Sequence, residues 1–105
     1  MEKKDIAIAV KNESAHLTVP DPFYDRRTCE RLQITIEVEM ARGTREFFID
    51  FGGLKPLSSY SMGHLLKLND QIKEAGGKLT LKGFSPDVRA MLKALLVDQL
   101  LTIEA

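Results

Sequence analysis

Apolar residues alternate with small or polar ones at the start of the chain, where Ile6, Ile8 and Val10 are spaced by alanines. Lys11-Asn12-Glu13-Ser14 then supplies turn chemistry, and Ala15 to Val19 resumes a short apolar run. This reads as two strands in an antiparallel hairpin. Pro20-Asp21-Pro22 ends the second strand, because proline lacks the amide that a sheet ladder needs. From Leu32 to Met40 the period is ambiguous. Strict alternation of β-branched residues suggests a half-buried strand, yet Cys29, Leu32, Ile36 and Met40 also fall on one helical stripe. Asp25 stands where an N-cap would and Gly43 where a helix would stop. The next strand, residues 46–51, is a near-continuous apolar run of the kind expected when both faces are covered. Parallel strands need a crossover, so residues 26–41 are predicted to be helical.

Gly52 to Pro56 is predicted to be a loop, and Ser58 to Ala75 a helix with Met62, Leu65, Leu68 or Leu66, Ile72 and Ala75 on one face and Gly76-Gly77 as its stop. Leu79 to Leu81 marks a further strand. Ser85-Pro86-Asp87 gives an N-cap serine, a first-turn proline and an acid at a helix start. That helix carries an expected buried stripe of Val88, Met91, Leu92, Leu95 and Leu96, and a last strand is expected over 100–103. The order β-β-α-β-α-β-α-β implies an α/β fold, a mixed sheet of about five strands with helices packed on it.

Composition narrows the class. The 105 residues are room for one domain, 1–105, and 44% of them are hydrophobic, too apolar for a disordered chain. Lys+Arg and Asp+Glu balance at 15 each, so no net positive charge draws the chain to nucleic acid. The single cysteine, Cys29, excludes an intramolecular disulfide, and no Cys/His cluster suggests zinc. The charged start leads into an apolar stretch that ends at Val10 without a cleavage pattern, so no signal peptide is expected. Nothing approaches the roughly 18 apolar residues of a membrane span. A cytoplasmic protein with no cofactor and no membrane insertion is the expectation.

Several segments, in order, resemble one family. Asp25-x-x-Thr28-x-x-x-Leu32, Phe48-Ile49-Asp50-Phe51, Gln71 to Leu79 through the paired glycines, and Ser85-Pro86-Asp87-Val88-Arg89 are similar to the STAS domain of bacterial anti-sigma factor antagonists. The resemblance spans about Asp5 to Glu104. It implies a non-enzymatic module that docks on an anti-sigma factor or serine kinase and works by partner switching in transcription regulation. The family's loop before its second helix reads Asp-Ser-Ser/Thr-Gly-Leu-Gly and carries a phosphorylated hydroxyl. Here the matching residues are Ser58-Ser59-Tyr60-Ser61-Met62-Gly63, with only Gly63 of the paired glycines kept. Late in the chain, Leu96 replaces the family's usual glycine.

A helix that begins near Ser59 offers unpaired amides and a positive dipole end, which suit a phosphate. That phosphate adds roughly −1.5 to −2 charge to a surface that a partner must desolvate, and so acts as an off switch. Ser59, Ser58 and Ser61 are the acceptor candidates, and Ser58, Ser59, Tyr60, Ser61, Met62, Gly63 and His64 the partner-binding ones. Asp21 and Tyr24 border the same loop. Plainer readings stand beside these. Ser58 or Ser59 suits an ordinary N-cap, Cys29 a buried apolar position, and Arg26, Arg27 and Arg31 a solvated face, with contact to an acidic partner or a nucleotide as the alternative for the arginines. His16 reads as a solvated or satisfied strand histidine. Ser61 and His64 lack an orienting acid and a nucleophile elbow, which argues against catalysis. The altered motif keeps an alternative open, a constitutive STAS subunit of a larger assembly such as a lipid-transport ATPase or stress-sensing complex. A nucleotide or small-molecule sensor ranks third, since neither glycine pair matches a phosphate-binding loop.

Overall fold

The computed structural model describes residues 6–19, 26–54 and 59–104. Strands β1 (Ala7–Lys11) and β2 (Ser14–Thr18) form the antiparallel hairpin, closed by Asn12 and Glu13 with Asn12 at φ 52°. Helix α1 (Arg26–Ala41) then leads to β3 (Glu46–Leu54), α2 (Ser59–Glu74) to β4 (Lys78–Phe84), and α3 (Pro86–Ala94) with a 3-10 turn (Val97–Gln99) to β5 (Thr102–Ile103). The sheet order is β1-β2-β3-β4-β5, with β2 to β5 all parallel.

That order explains the layering. Each parallel neighbour is reached by a crossover through a helix, and right-handed crossovers that always step the same way put every helix on one face. Ala15, Leu17, Phe47, Ile49, Leu79 and Leu81 point to that face and are buried with Leu32 and Ile36 of α1, Leu65, Leu68 and Ile72 of α2, and Val88 and Leu92 of α3. The intervening residues turn to the other face, where Phe48 is half-buried and stacks on His16 at 4.6 Å between ring centres. The expectation that β3 is covered on both faces is therefore corrected, although the helical crossover inferred from it is present.

Helix α1 spans the predicted residues and buries Cys29, Leu32 and Ile36, with Met40 packed partly against the core. Its last turn also buries Glu39, which accepts from Thr44 Oγ1 at 3.1 Å and pairs with Arg42 at 3.1 Å. Ser85 caps α3, its hydroxyl accepting from the Val88 amide at 3.2 Å, with Pro86 in the first turn. Three boundaries differ from expectation, one of them the last strand, which opens at Thr102 because Leu100 still closes the 3-10 turn. Gly52 to Leu54, expected in a loop, continue β3 through an irregularity that shifts the register between Asp50 and Leu54. Leu95 and Leu96, expected in the buried stripe of α3, are 54% and 61% exposed. The helix stops at Ala94 and Leu96 takes a left-handed conformation (φ 61°), which swings both side chains off the buried side.

Candidate functional site

The irregularity in β3 sits where the chain leaves the sheet toward α2. Asp50 Oδ1 accepts from the Gly52 amide at 2.9 Å, and the Asp50 carbonyl accepts from Val19 at 3.0 Å. Gly83 of β4 crosses this point at φ 85°, where a Cβ would lie 2.7 Å from the Gly52 nitrogen and 2.8 Å from that of Phe51. Only glycine allows the two strands to approach so closely there. Strands β3 and β4 thus meet tightly just before the entry to α2.

Helix α2 opens at Ser59, which is exposed, followed by Tyr60 at 54% exposure. Gly63 is exposed, with open space where a side chain would be. These three residues give the helix start an exposed hydroxyl, a protruding aromatic ring and an approachable backbone. Ser61 is different. It is fully buried, so its hydroxyl is out of a kinase's reach and its place among acceptors and contacts is withdrawn. The cause is helical phase: Ser61 stands four residues before Leu65, on the side that faces the core. Met62 is half-buried against the core. Ser58, Asp21, Tyr24 and Asp25 lie outside the described residues.

His64 is half-buried between the helices, its Nε2 3.1 Å from Gln33 Oε1 on α1. The Gln33 amide in turn donates to Gln71 Oε1 at 2.6 Å and Glu37 Oε2 at 2.9 Å. Burial and the nearby Lys67 ammonium hold the His64 imidazole below the usual histidine range. The group that meets its Nε2 is thus an amide, which does not do the work of a carboxylate there. Among the described residues no group of His, Cys, Asp and Glu is placed to hold a metal ion, and no helix is long and apolar enough to cross a membrane.

Beside Tyr60 the two helices leave a groove of about 310 Å³, lined by Cys29, Gln33, Ile34, Tyr60, His64 and Lys67 among others. Ile34 is 60% exposed and Val38, one turn on, 43%. Reading the sequence placed the docking surface on α2 and its bordering loops, offered only Arg26, Arg27 and Arg31 from α1, and missed this apolar α1 contribution. The signal was present: Ile34 and Val38 are apolar residues that fall off the Cys29–Leu32–Ile36 stripe and have no core to enter.

A family model described as "Mlab, STAS domain" matches residues 8–102, nearly the whole chain. No curated protein matches the sequence. Among solved structures, the protein TM1081, determined by NMR, superposes with a TM-score of 0.80 at 15% identity, covering 99% of this chain and 83% of that one. The anti-sigma factor antagonist SpoIIAA in its unphosphorylated form superposes with a TM-score of 0.72 at 14% identity, covering 95% and 88%. At these identities the superpositions speak for the fold.

Proposed function

The chain belongs to the STAS domain family, and from that premise we propose that it is a non-enzymatic regulatory module that binds another protein through the start of α2. The observation that carries this is the exposed Ser59–Tyr60 step with open backbone at Gly63, at the position of the family's signature loop. The partner is an anti-sigma factor or serine kinase, as the likeness to an anti-sigma factor antagonist suggests. Tyr60 supplies a rigid amphipathic anchor and Ile34 extends the apolar contact onto α1. Ser59 is the reachable hydroxyl. A phosphate there sits at a helix N-terminus, tolerated by the folded chain yet costly for a partner that must desolvate it.

The test is co-purification from the native cell with tagged wild type, Tyr60→Ala, Ser59→Ala and Ser59→Asp, with phosphopeptide mass spectrometry of the recovered chain. Tyr60→Ala and Ser59→Asp should each lower partner recovery at least tenfold, while Ser59→Ala retains it and abolishes the phosphopeptide. Equal recovery by all four proteins would remove α2 as the docking site.

A second reading, a permanent subunit of a larger assembly such as a lipid-transport ATPase, is favoured by one observation. The family's first loop glycine is here Ser61, and that residue is buried. In that case Tyr60→Ala still releases the partner, Ser59 is never phosphorylated, and the complex does not exchange subunits over hours.

A further inference from the structure

The two edges of the sheet are unlike. Strand β5 is two residues long, and so short an edge resists pairing with another chain. Strand β1, at the other edge, runs for five residues in unbroken register with β2 and contains no proline. Its one charge is Lys11 at the end, so the devices that ordinarily blunt an edge are missing from Ala7 to Val10. All five residues are exposed, and among the described residues no strand pairs with the outer side.

The hairpin decides which backbone groups that edge presents. Lys11 and Ser14 flank a two-residue turn and exchange both ladder hydrogen bonds. The alternation of an antiparallel ladder makes Ala9–His16 and Ala7–Thr18 the next such pairs. The amides and carbonyls of Ile8 and Val10 therefore point away from β2. Their side chains lie on the same sheet face as their cross-strand neighbours Leu17 and Ala15, which are buried under the helices. The first crossover runs from β2 to β3, so the helices lie over β2 and beyond, and Ile8 and Val10 stay 40% and 49% exposed. Unpaired backbone and uncovered apolar side chains thus coincide on the same two residues.

We propose that β1 pairs antiparallel with β1 of a second copy, joining two five-stranded sheets across a two-fold axis at Ala9. Ile8 of each copy then lies opposite Val10 of the other, each pair exchanging two main-chain hydrogen bonds, and the apolar side chains cluster on one face. Ala9 meets its own mate at the axis in a non-hydrogen-bonded pair, where Cα atoms approach to about 4.5 Å and a methyl group fits. Lys11 faces Ala7 and stands about 13 Å along the sheet from its mate, four residues at about 3.3 Å each, beyond the Debye length of roughly 8 Å. Each position of the strand is matched by its own sequence reversed, which favours a second copy over a foreign strand. The strip is small against the roughly 800 Å² per partner of a stable complex, so the dimer forms in a concentration-dependent way. Helix α2 crosses from β3 to β4, away from this edge, so the dimer offers two copies of the α2 start.

The test is sedimentation of the full chain from about 5 to about 500 µM. Wild type should shift from monomer to dimer, and Val10→Pro and Ile8→Lys should each weaken dimerisation at least tenfold. Val10→Pro removes an amide that points away from β2, and Ile8→Lys alters an exposed side chain, so circular dichroism should show both folded. If one of them perturbs the hairpin, the other still reads the edge. Ala9→Cys should form a disulfide-linked dimer on air oxidation at least tenfold faster than Lys11→Cys, whose mate is out of reach. Cys29 is buried and does not compete. A monomer at every concentration would overturn the proposal. So would a dimer that Val10→Pro and Ile8→Lys leave intact, or one in which Ala9→Cys links no faster than Lys11→Cys. No variant touches the start of α2, so a failure here leaves the reading of that site standing.

Discussion

Phe47 and Phe48 are neighbours in the chain and lie on opposite faces of the sheet. Phe47 enters the helix-covered face, is 1% exposed and packs in the shared core of all three helices. Phe48 turns to the open face, half-buried, with the His16 ring stacked on it at 8° between planes. One face is sealed by every crossover, and among the described residues the other is closed by its own side chains. The lesson is that stability sits on one side of this sheet, while the residues free to meet partners lie on the helix surfaces and edges. The sharpest test is the matched pair of truncations. Phe47→Ala should cost about 3–5 kcal/mol through lost burial and an unfilled cavity, whereas Phe48→Ala should cost about 1 kcal/mol, the scale of one ring pair. Urea unfolding reads both. Equal losses would mean that the open face is covered by something other than His16.

The next largest effect lies where the sealed side hands the chain to the functional side. Gly83 combines a positive φ with strand contacts that leave no room for a Cβ. Gly83→Ala should therefore cost about 2–5 kcal/mol, summed from the strain of a left-handed L residue and the clash with the Phe51 and Gly52 backbone. It should also displace the Asp50–Gly52 turn. A fall in stability accompanied by weaker partner binding would join the two sides of the comparison; a fall in stability alone would separate them.

Much of this was legible in the residues. The α3 cap was readable because Ser85, Pro86 and Asp87 act within one turn, and each favours a helix start for a different local reason. Helix α1 was readable only indirectly. Its alternation of β-branched residues favours a strand, and burial of Cys29, Leu32 and Ile36 against the sheet overrides that preference. Reading β3 as covered on both faces failed because Phe48 is as apolar as Phe47. A residue's neighbours cannot tell that a non-local His16 ring shields it on an otherwise open face. At the candidate site, Ser59 and Ser61 are chemically alike in the sequence, and only helical phase separates an exposed hydroxyl from a buried one. Ile34 was missed for the complementary reason: a continuous helix face extends the site onto an element some 25 residues away. The family loop drew attention to α2 alone.

The smallest expected effect concerns His64, which stands at the seam between the stable core and the docking groove. Burial and Lys67 favour its neutral form in the folded chain, while the unfolded chain titrates near the ordinary value of about 6.5. The unfolded state therefore binds more protons as pH falls below that value, and stability falls with it. The contribution is complete above about pH 6.5 and is lost as pH drops from there toward the lowered folded value. Glu37 bonds Gln33, and Lys67 is the charged neighbour on the ring's own helix. Thermal melts of wild type and His64→Gln between pH 7.5 and 5.5 isolate the effect as the difference between the two slopes. The wild-type Tm should fall further on acidification, and the variant's glutamine can keep the contact to Gln33. Parallel slopes would mean that the ring titrates freely in water, and the seam between α1 and α2 would then be open to solvent rather than packed.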